Sequence, residues 1–287
     1  MGQEDCSESF IAEKNDGEAG REKRKAGSDV CFRKKSENQL KEEIMRISLK
    51  VAYEGTNYHG WQVQPNGITI ESVLNQTLSD LLGEKIEVIG ASRTDAGVHS
   101  MGNVAVFDTD TRIPAEKISY ALNQRLPDDI VVQESREAAA DFHPRHCESR
   151  KTYEYRILNR RFRDPLRRRD TYFYYYDLNV DKMQEAAQYL VGEHDFKSFC
   201  SIHACVETTV RTVHELNVEK KGDIISIRIC GNGFLYHMVR IIAGTLVQVG
   251  SGVIVPEQMK EILERKDRSA AGPTAPACGL TMLGIVY

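Results

Sequence analysis

Regular patterning begins with the stretch RISLKVAY, Arg46 to Tyr53. Ile47, Leu49, Val51 and Tyr53 alternate with Arg46, Ser48, Lys50 and Ala52, the period of two that marks a strand with one buried face. The period then changes. Ile70, Val73, Leu74, Thr77, Leu78, Leu81 and Leu82 recur at helical spacing, with Thr69 placed to cap the start and Gly83 to stop the end. Strands are predicted around Ile86 to Ile89 and Asn103 to Phe107, a helix around Pro114 to Asn123, and a strand at Ile130 to Gln133. A second cycle opens near Lys151, where Tyr153, Tyr155 and Ile157 alternate with Thr152, Glu154 and Arg156. It continues with a strand around Tyr172 to Tyr176, a helix from Asp181 to Val191, and strands at Arg211 to Val218 and Ile224 to Cys230. The apolar run FLYHMVRIIAGTLVQVG reads as a buried helix, a shorter helix starts at Pro256, and Leu280 to Tyr287 closes the chain as a strand. Two cycles of strands with helices between them predict an α+β fold with two similar lobes, residues 44–150 and 151–287.

Upstream of Arg46, residues 1–43 have few apolar side chains and dense charge of both signs. They bury too little to offset the entropy of ordering, so a disordered extension is expected there. The 287-residue chain as a whole, 41% hydrophobic, 28% charged and with a net charge of -4, has the composition of an ordinary soluble protein. No apolar run is long enough to span a bilayer, and MGQEDCSESF lacks the basic and apolar regions of a signal peptide. A cytosolic location is expected. Seven cysteines without a C-x-x-C pair point to reduced thiols rather than a disulfide framework.

Charge is unevenly spread. Between Arg145 and Arg169 ten basic residues face three acidic ones, with Tyr153, Tyr155 and Phe162 interleaved and YFYYY following at Tyr172 to Tyr176. Arginine beside aromatic rings is the footprint of a nucleic-acid groove, where guanidinium groups meet phosphates and rings stack on bases. A solvated basic face over strand-buried tyrosines fits the same residues.

Motifs for nucleotide loops and metal centres are missing: there is no G-x-x-x-x-G-K-[ST], no H-E-x-x-H and no complete G-x-G-x-x-G. Cys200, His203 and Cys205 lie close together, as do His143, His146 and Cys147, but neither set has zinc spacing, and buried thiols and surface histidines account for them. Asp95 stands apart. In GASRTDAGVHS, Gly90 to Ser100, it follows a predicted strand among small residues that permit tight turns, with Arg93 and His99 on the same loop. An Asx turn, with the carboxylate on its own backbone, is the alternative. Arg240 sits inside an apolar helix and keeps its charge when buried, so it needs an acidic partner, for which Asp95 is a candidate, a cage of hydrogen-bond acceptors, or a path to solvent.

GASRTDAGVHS resembles the signature of the TruA-type tRNA pseudouridine synthases, and the likeness runs from Met45 to Tyr287. YEGTNYHGWQVQP from Tyr53, DFHPRHCESRKTYEY from Asp141, GNGFLYHMVRIIAGTL from Gly231 and CGLTMLGIVY from Cys278 follow that family in order, with Ser92 where glycine is commoner. The resemblance implies two ferredoxin-like lobes forming one mainly antiparallel sheet with a basic cleft between them. It implies isomerisation of uridine to pseudouridine at positions 38, 39 and 40 of the tRNA anticodon stem-loop, by a homodimer and without cofactor or metal. By position, Asp95 becomes the catalytic carboxylate and Arg93 fills the place of the flipped nucleotide. Tyr153 lies over the uracil, Arg240 holds Asp95, and Leu280 walls the base. A non-catalytic RNA-binding protein of the same fold is one rival reading; a small-molecule glycosidase is the other, weakened because it needs two acids across the sugar and only Asp95 stands out.

Overall fold

A computed structural model describes residues 44–287, so the extension expected over 1–43 lies outside the described residues. The first strand, β1 (Met45–Tyr53), places Ile47, Leu49 and Val51 in the core. A 3-10 turn at Gly55–Asn57 leads to α1 (Ile70–Leu82). Thr69 and Ser72 cap its start reciprocally, satisfying two otherwise orphaned groups, and Gly83 ends it at a φ of 75°. Next come β2 (Ile89–Gly90), β3 (His99–Thr109), α2 (Ala115–Asn123) and β4 (Ile130–Ala138). The second half runs β5 (Arg150–Asn159), β6 (Tyr172–Tyr174), α3 (Val180–Gln188), β7 (Gly192–Asp195), β8 (Val210–Lys221) and β9 (Ile224–Gly231). It closes with α4 (Met238–Gly250), α5 (Gln258–Arg265) and β10 (Leu280–Val286).

The strands form one mixed ten-stranded sheet in the order β4-β1-β3-β10-β5-β9-β8-β7, with β2 added beside β3 and β6 beside β5. All pairings are antiparallel except β3 with β10 and β5 with β6. The chain's last strand is therefore its central joint. β10 pairs over seven-residue length with β5 but meets β3 only at Thr281↔His99 and Met282↔Ser100. Two apolar cores flank this seam. One packs α1 and α2 on the first-half strands around Trp61, Leu74 and Ile118; the other packs α3, α4 and α5 on the second-half strands around Tyr155, Phe199 and Ile242. Burying these side chains contributes about 1.5 to 3 kcal/mol each.

Several boundaries differ from those expected, each for a local reason. Ile86 to Val88 are not strand, because the Ile86 and Val88 amides donate to Ser79 Oγ and Asn75 Oδ1 of α1 instead of to a neighbouring strand. β3 begins at His99, which pairs with Thr281, so His99 belongs to the sheet and not to the Asp95 loop. The helix predicted through Val191 stops at Gln188, and Gly192, with a φ of 114°, starts a strand that was not predicted. α4 begins at Met238 and not Phe234, because His237 has left-handed backbone with a φ of 63°. Cys200 is buried, but Cys147 and Cys205 are exposed, so burial does not account for those two thiols. No helix is long and apolar enough to cross a membrane, and no three metal-ligating side chains converge, both among the described residues.

Candidate active site

The loop from Ala91 to Val98 is built by close backbone approach. Asp95 C=O accepts from the Val98 amide across a turn whose third residue, Gly97, has a φ of 79°, a conformation that glycine adopts without steric cost. The segment after β1 clamps the loop from one side: the Trp61 amide donates to Thr94 C=O at 3.0 Å. Gly55 and Gly60 allow that contact, since a Cβ at Gly60 would stand 2.4 Å from the Thr94 carbonyl oxygen and one at Gly55 2.0 Å from that of Val98. Beneath the loop, the Tyr53 and Thr94 hydroxyls share a buried hydrogen bond of 2.8 Å. Asp95 is thus carried on a frame with little freedom to shift.

Its carboxylate turns away from its own backbone. Arg240 Nη1 donates to Asp95 Oδ2 at 2.8 Å, while Arg240 Nε donates to Ala275 C=O at 2.8 Å. The two side chains are only 15% and 18% exposed, so the pair is largely withdrawn from water. This geometry removes the Asx-turn alternative, and it also removes a solvent-bound Arg240. A guanidinium fixed by a carbonyl at one nitrogen and bonded to Asp95 through another holds the carboxyl group in one orientation. His237 Nε2 approaches the same Oδ2 at 3.4 Å. That distance makes a contact and not an aligned hydrogen bond. His237 carries backbone strain of about 1 kcal/mol as a left-handed non-glycine residue.

Asp95 opens onto a cavity of about 1050 Å³. Arg93, Tyr153, Leu280 and Arg240, the other residues singled out in the sequence, line the same cavity. Tyr153 and Leu280 are buried on adjacent strands, with Tyr153 edge-on to Phe234 at 5.1 Å between ring centres. Burial pushes the Tyr153 phenol up to about 12, partly offset by the nearby Ser92 hydroxyl, so the ring is neutral at physiological pH. Ser92 Oγ is buried and has no hydrogen-bond partner of good geometry among the described residues. Arg93 is exposed at the cavity edge.

The basic run behaves less uniformly than its composition suggests. Arg156, Arg160, Arg167 and Arg169 are paired with Glu154 or Asp170, Asp223, Asp170 and Glu54 respectively. Only Arg145 and Lys151 of that run face the cavity, joined there by Arg211 from β8. Among the described residues none of these three has a carboxylate partner. Arg145 Nε and Lys151 Nζ donate instead to Gly90 C=O and Ala91 C=O, the entrance to the Asp95 loop. Burial and the charges of Arg145 and Arg211 hold the Lys151 ammonium below its ordinary range, the sign of a site whose positive charge is uncompensated. Sequence reading missed Arg211 and His237. Arg211 had no local signal, whereas His237, three residues before Arg240, sat within the motif already quoted.

A family model described as tRNA pseudouridine synthase matches residues 50–146 and 186–287. The protein is accordingly an enzyme, an isomerase that acts on tRNA. Over 244 residues, 85% of this chain and the whole of each relative, it is 48% identical to tRNA pseudouridine synthase A of Thermoanaerobacter pseudethanolicus and 46% to that of Acetivibrio thermocellus. Identity to the Brevibacillus brevis enzyme of the same name is 49% over the same length. The chain belongs to the TruA family of tRNA pseudouridine synthases, and its reaction is the isomerisation of uridine in tRNA.

Proposed function

We propose that the chain converts uridine to pseudouridine at positions 38, 39 and 40 of the tRNA anticodon stem-loop, with Asp95 as the catalytic carboxylate. The observation that carries this reading is the 2.8 Å pair of Asp95 with Arg240 at the wall of the 1050 Å³ cavity. The reaction is internally balanced: the bond from ribose C1′ to uracil N1 breaks, one from C1′ to C5 forms, C5 gives up its proton and N1 gains one. Asp95 acts on the sugar, either as nucleophile at C1′ or by taking a ribose proton. Tyr153 packs against the uracil, and Leu280 forms the apolar wall opposite. Arg93, exposed at the mouth, takes the space vacated by the nucleotide as it leaves its stack, a step that costs a few kcal/mol.

The cleft between a first lobe, 44–150, and a second, 151–287, each ferredoxin-like, is the tRNA groove in this reading. The two apolar cores on either side of the β3–β10 joint support it, as do Arg145, Lys151 and Arg211, which have no carboxylate partner among the described residues. The enzyme works as a homodimer in the cytoplasm. The test uses tRNA transcripts labelled with tritium at uracil C5 and keeping a single uridine at 38, 39 or 40. Wild type is expected to release tritium from each and Asp95→Ala from none; release confined to uridines elsewhere in the tRNA would overturn the site assignment.

A further inference from the structure

We propose that His237 is a positioning residue of the isomerisation: with Arg240 it occupies Oδ2 of Asp95 and so leaves Oδ1 facing the nucleotide. The inference rests on Asp95 being the catalytic carboxylate. Three observations carry it. First, Arg240 Nη1 and His237 Nε2 converge on the same oxygen, at 2.8 and 3.4 Å, whereas among the described residues Oδ1 has no protein hydrogen-bond partner. A carboxylate held through one oxygen from two directions loses its rotation about the Cβ–Cγ bond, and the free oxygen acquires a fixed aim.

Second, the backbone of His237 is left-handed, with φ 63° and ψ 4°, directly before α4. Caps elsewhere in the chain, such as Thr69 and Asn179, are extended and bond the first turn with their side chains. His237 makes no such bond. Among the described residues Lys266 is the one other non-glycine residue with positive φ, and it ends α5, where left-handed backbone is common. Helix capping therefore does not account for His237, while its conformation turns the ring back onto Asp95. Strain beside a reacting group is the pattern retained for function.

Third, the ring is held and kept neutral. It lies against Tyr236 at 3.9 Å between centres. Burial, with the charges of Arg240, Arg268 and His203, lowers the imidazole's affinity for a proton against the opposing pull of Asp95. A neutral imidazole in contact with Oδ2 at 3.4 Å, short of a hydrogen bond, offers that oxygen an N–H without adding a second full charge that would blunt the carboxylate. Hydrogen bonds of this kind often shorten only when substrate packs against them.

The experiment uses the full chain with C5-tritiated tRNA and three variants, His237→Gly, His237→Asn and Asp95→Asn. Glycine adopts a φ of 63° freely, so His237→Gly is expected to fold with an unchanged or higher Tm. Its kcat is expected to fall about tenfold to a hundredfold with KM for tRNA unchanged. Added imidazole, or the amide donor of His237→Asn, is expected to recover part of the loss. Wild-type turnover by His237→Gly would overturn the proposal, and so would a loss that neither imidazole nor asparagine recovers, which marks a merely structural residue. Asp95→Asn separates the two levels. If it is inert while His237→Gly keeps the full rate, only this inference fails; if it is active, the reading of Asp95 fails and takes this inference with it.

Discussion

Replacing Arg240 by methionine removes the charge while keeping an unbranched stem among the buried neighbours on α4. Two hydrogen bonds disappear, to Asp95 Oδ2 and to Ala275 C=O. Breaking a fully buried ion pair by deleting one partner costs about 3 to 5 kcal/mol. Asp95 borders a water-accessible cavity, so part of that cost is recovered by hydration, and about 2 to 3 kcal/mol is expected. For a folded unit of this size that lowers Tm by roughly 5 to 10 °C. The cycle with Asp95→Asn identifies the source. In the neutral background no carboxylate is left uncompensated, so Arg240→Met costs less there, with a coupling of about 1 to 3 kcal/mol. Turnover falls as well, by about a hundredfold, because the carboxylate loses its fixed aim. Thermal melts on the four proteins and single-turnover tritium release test both effects. A Tm within 1 °C or so of wild type together with undiminished release would refute the reasoning, since a pair worth that little neither orients nor stabilises.

Gly60→Ala places a methyl group 2.4 Å from the Thr94 carbonyl at a φ of +83°, so a loss of about 1 to 3 kcal/mol is expected by urea unfolding, with slower turnover as the Asp95 loop shifts. Arg145→Ala and Lys151→Ala should each weaken tRNA binding at low salt and make the slope of log affinity against log salt shallower by about one, whereas Arg167→Ala, whose charge is shared with Asp170, should change it less; filter binding over a salt series measures this. Tyr153 ionises near 10 when unfolded and only at about 12 when folded. The unfolded chain thus sheds the proton first, and this residue's share of stability, intact below pH 10, is lost as pH rises toward 12. Urea melts across that interval should show a steeper alkaline decline for wild type than for Tyr153→Phe.

Most of the architecture could be read from the chain because its elements carry their own punctuation. α1 is bounded by Thr69 and Gly83 as expected, since capping and left-handed termination are local chemistry. Errors arose where distant partners decide. Nothing near Ile86 reveals that α1 side chains take its amide, and nothing near His99 reveals that the final strand extends β3 back to it. At the site, a charge within an apolar helix was enough to point from Arg240 to Asp95, because burial leaves a guanidinium few options. The basic run from Arg145 to Arg169 misled in detail: four of its nine arginines, Arg156, Arg160, Arg167 and Arg169, meet carboxylates, and Arg211, which joins Arg145 and Lys151 at the cavity, comes from far along the chain. His237 stayed hidden because its role depends on a backbone conformation that sequence periodicity does not report.

The most direct measurement compares wild type with Asp95→Asn, which keeps the shape of the side chain and removes its charge, under single-turnover conditions with enzyme in excess over C5-tritiated tRNA. Filter binding on the same samples reports occupancy. Wild type is expected to release the label from positions 38 to 40 while the amide variant binds the tRNA and releases none. Release by the amide variant within a few-fold of wild type, at equal occupancy, would contradict a role for that carboxylate in the chemistry.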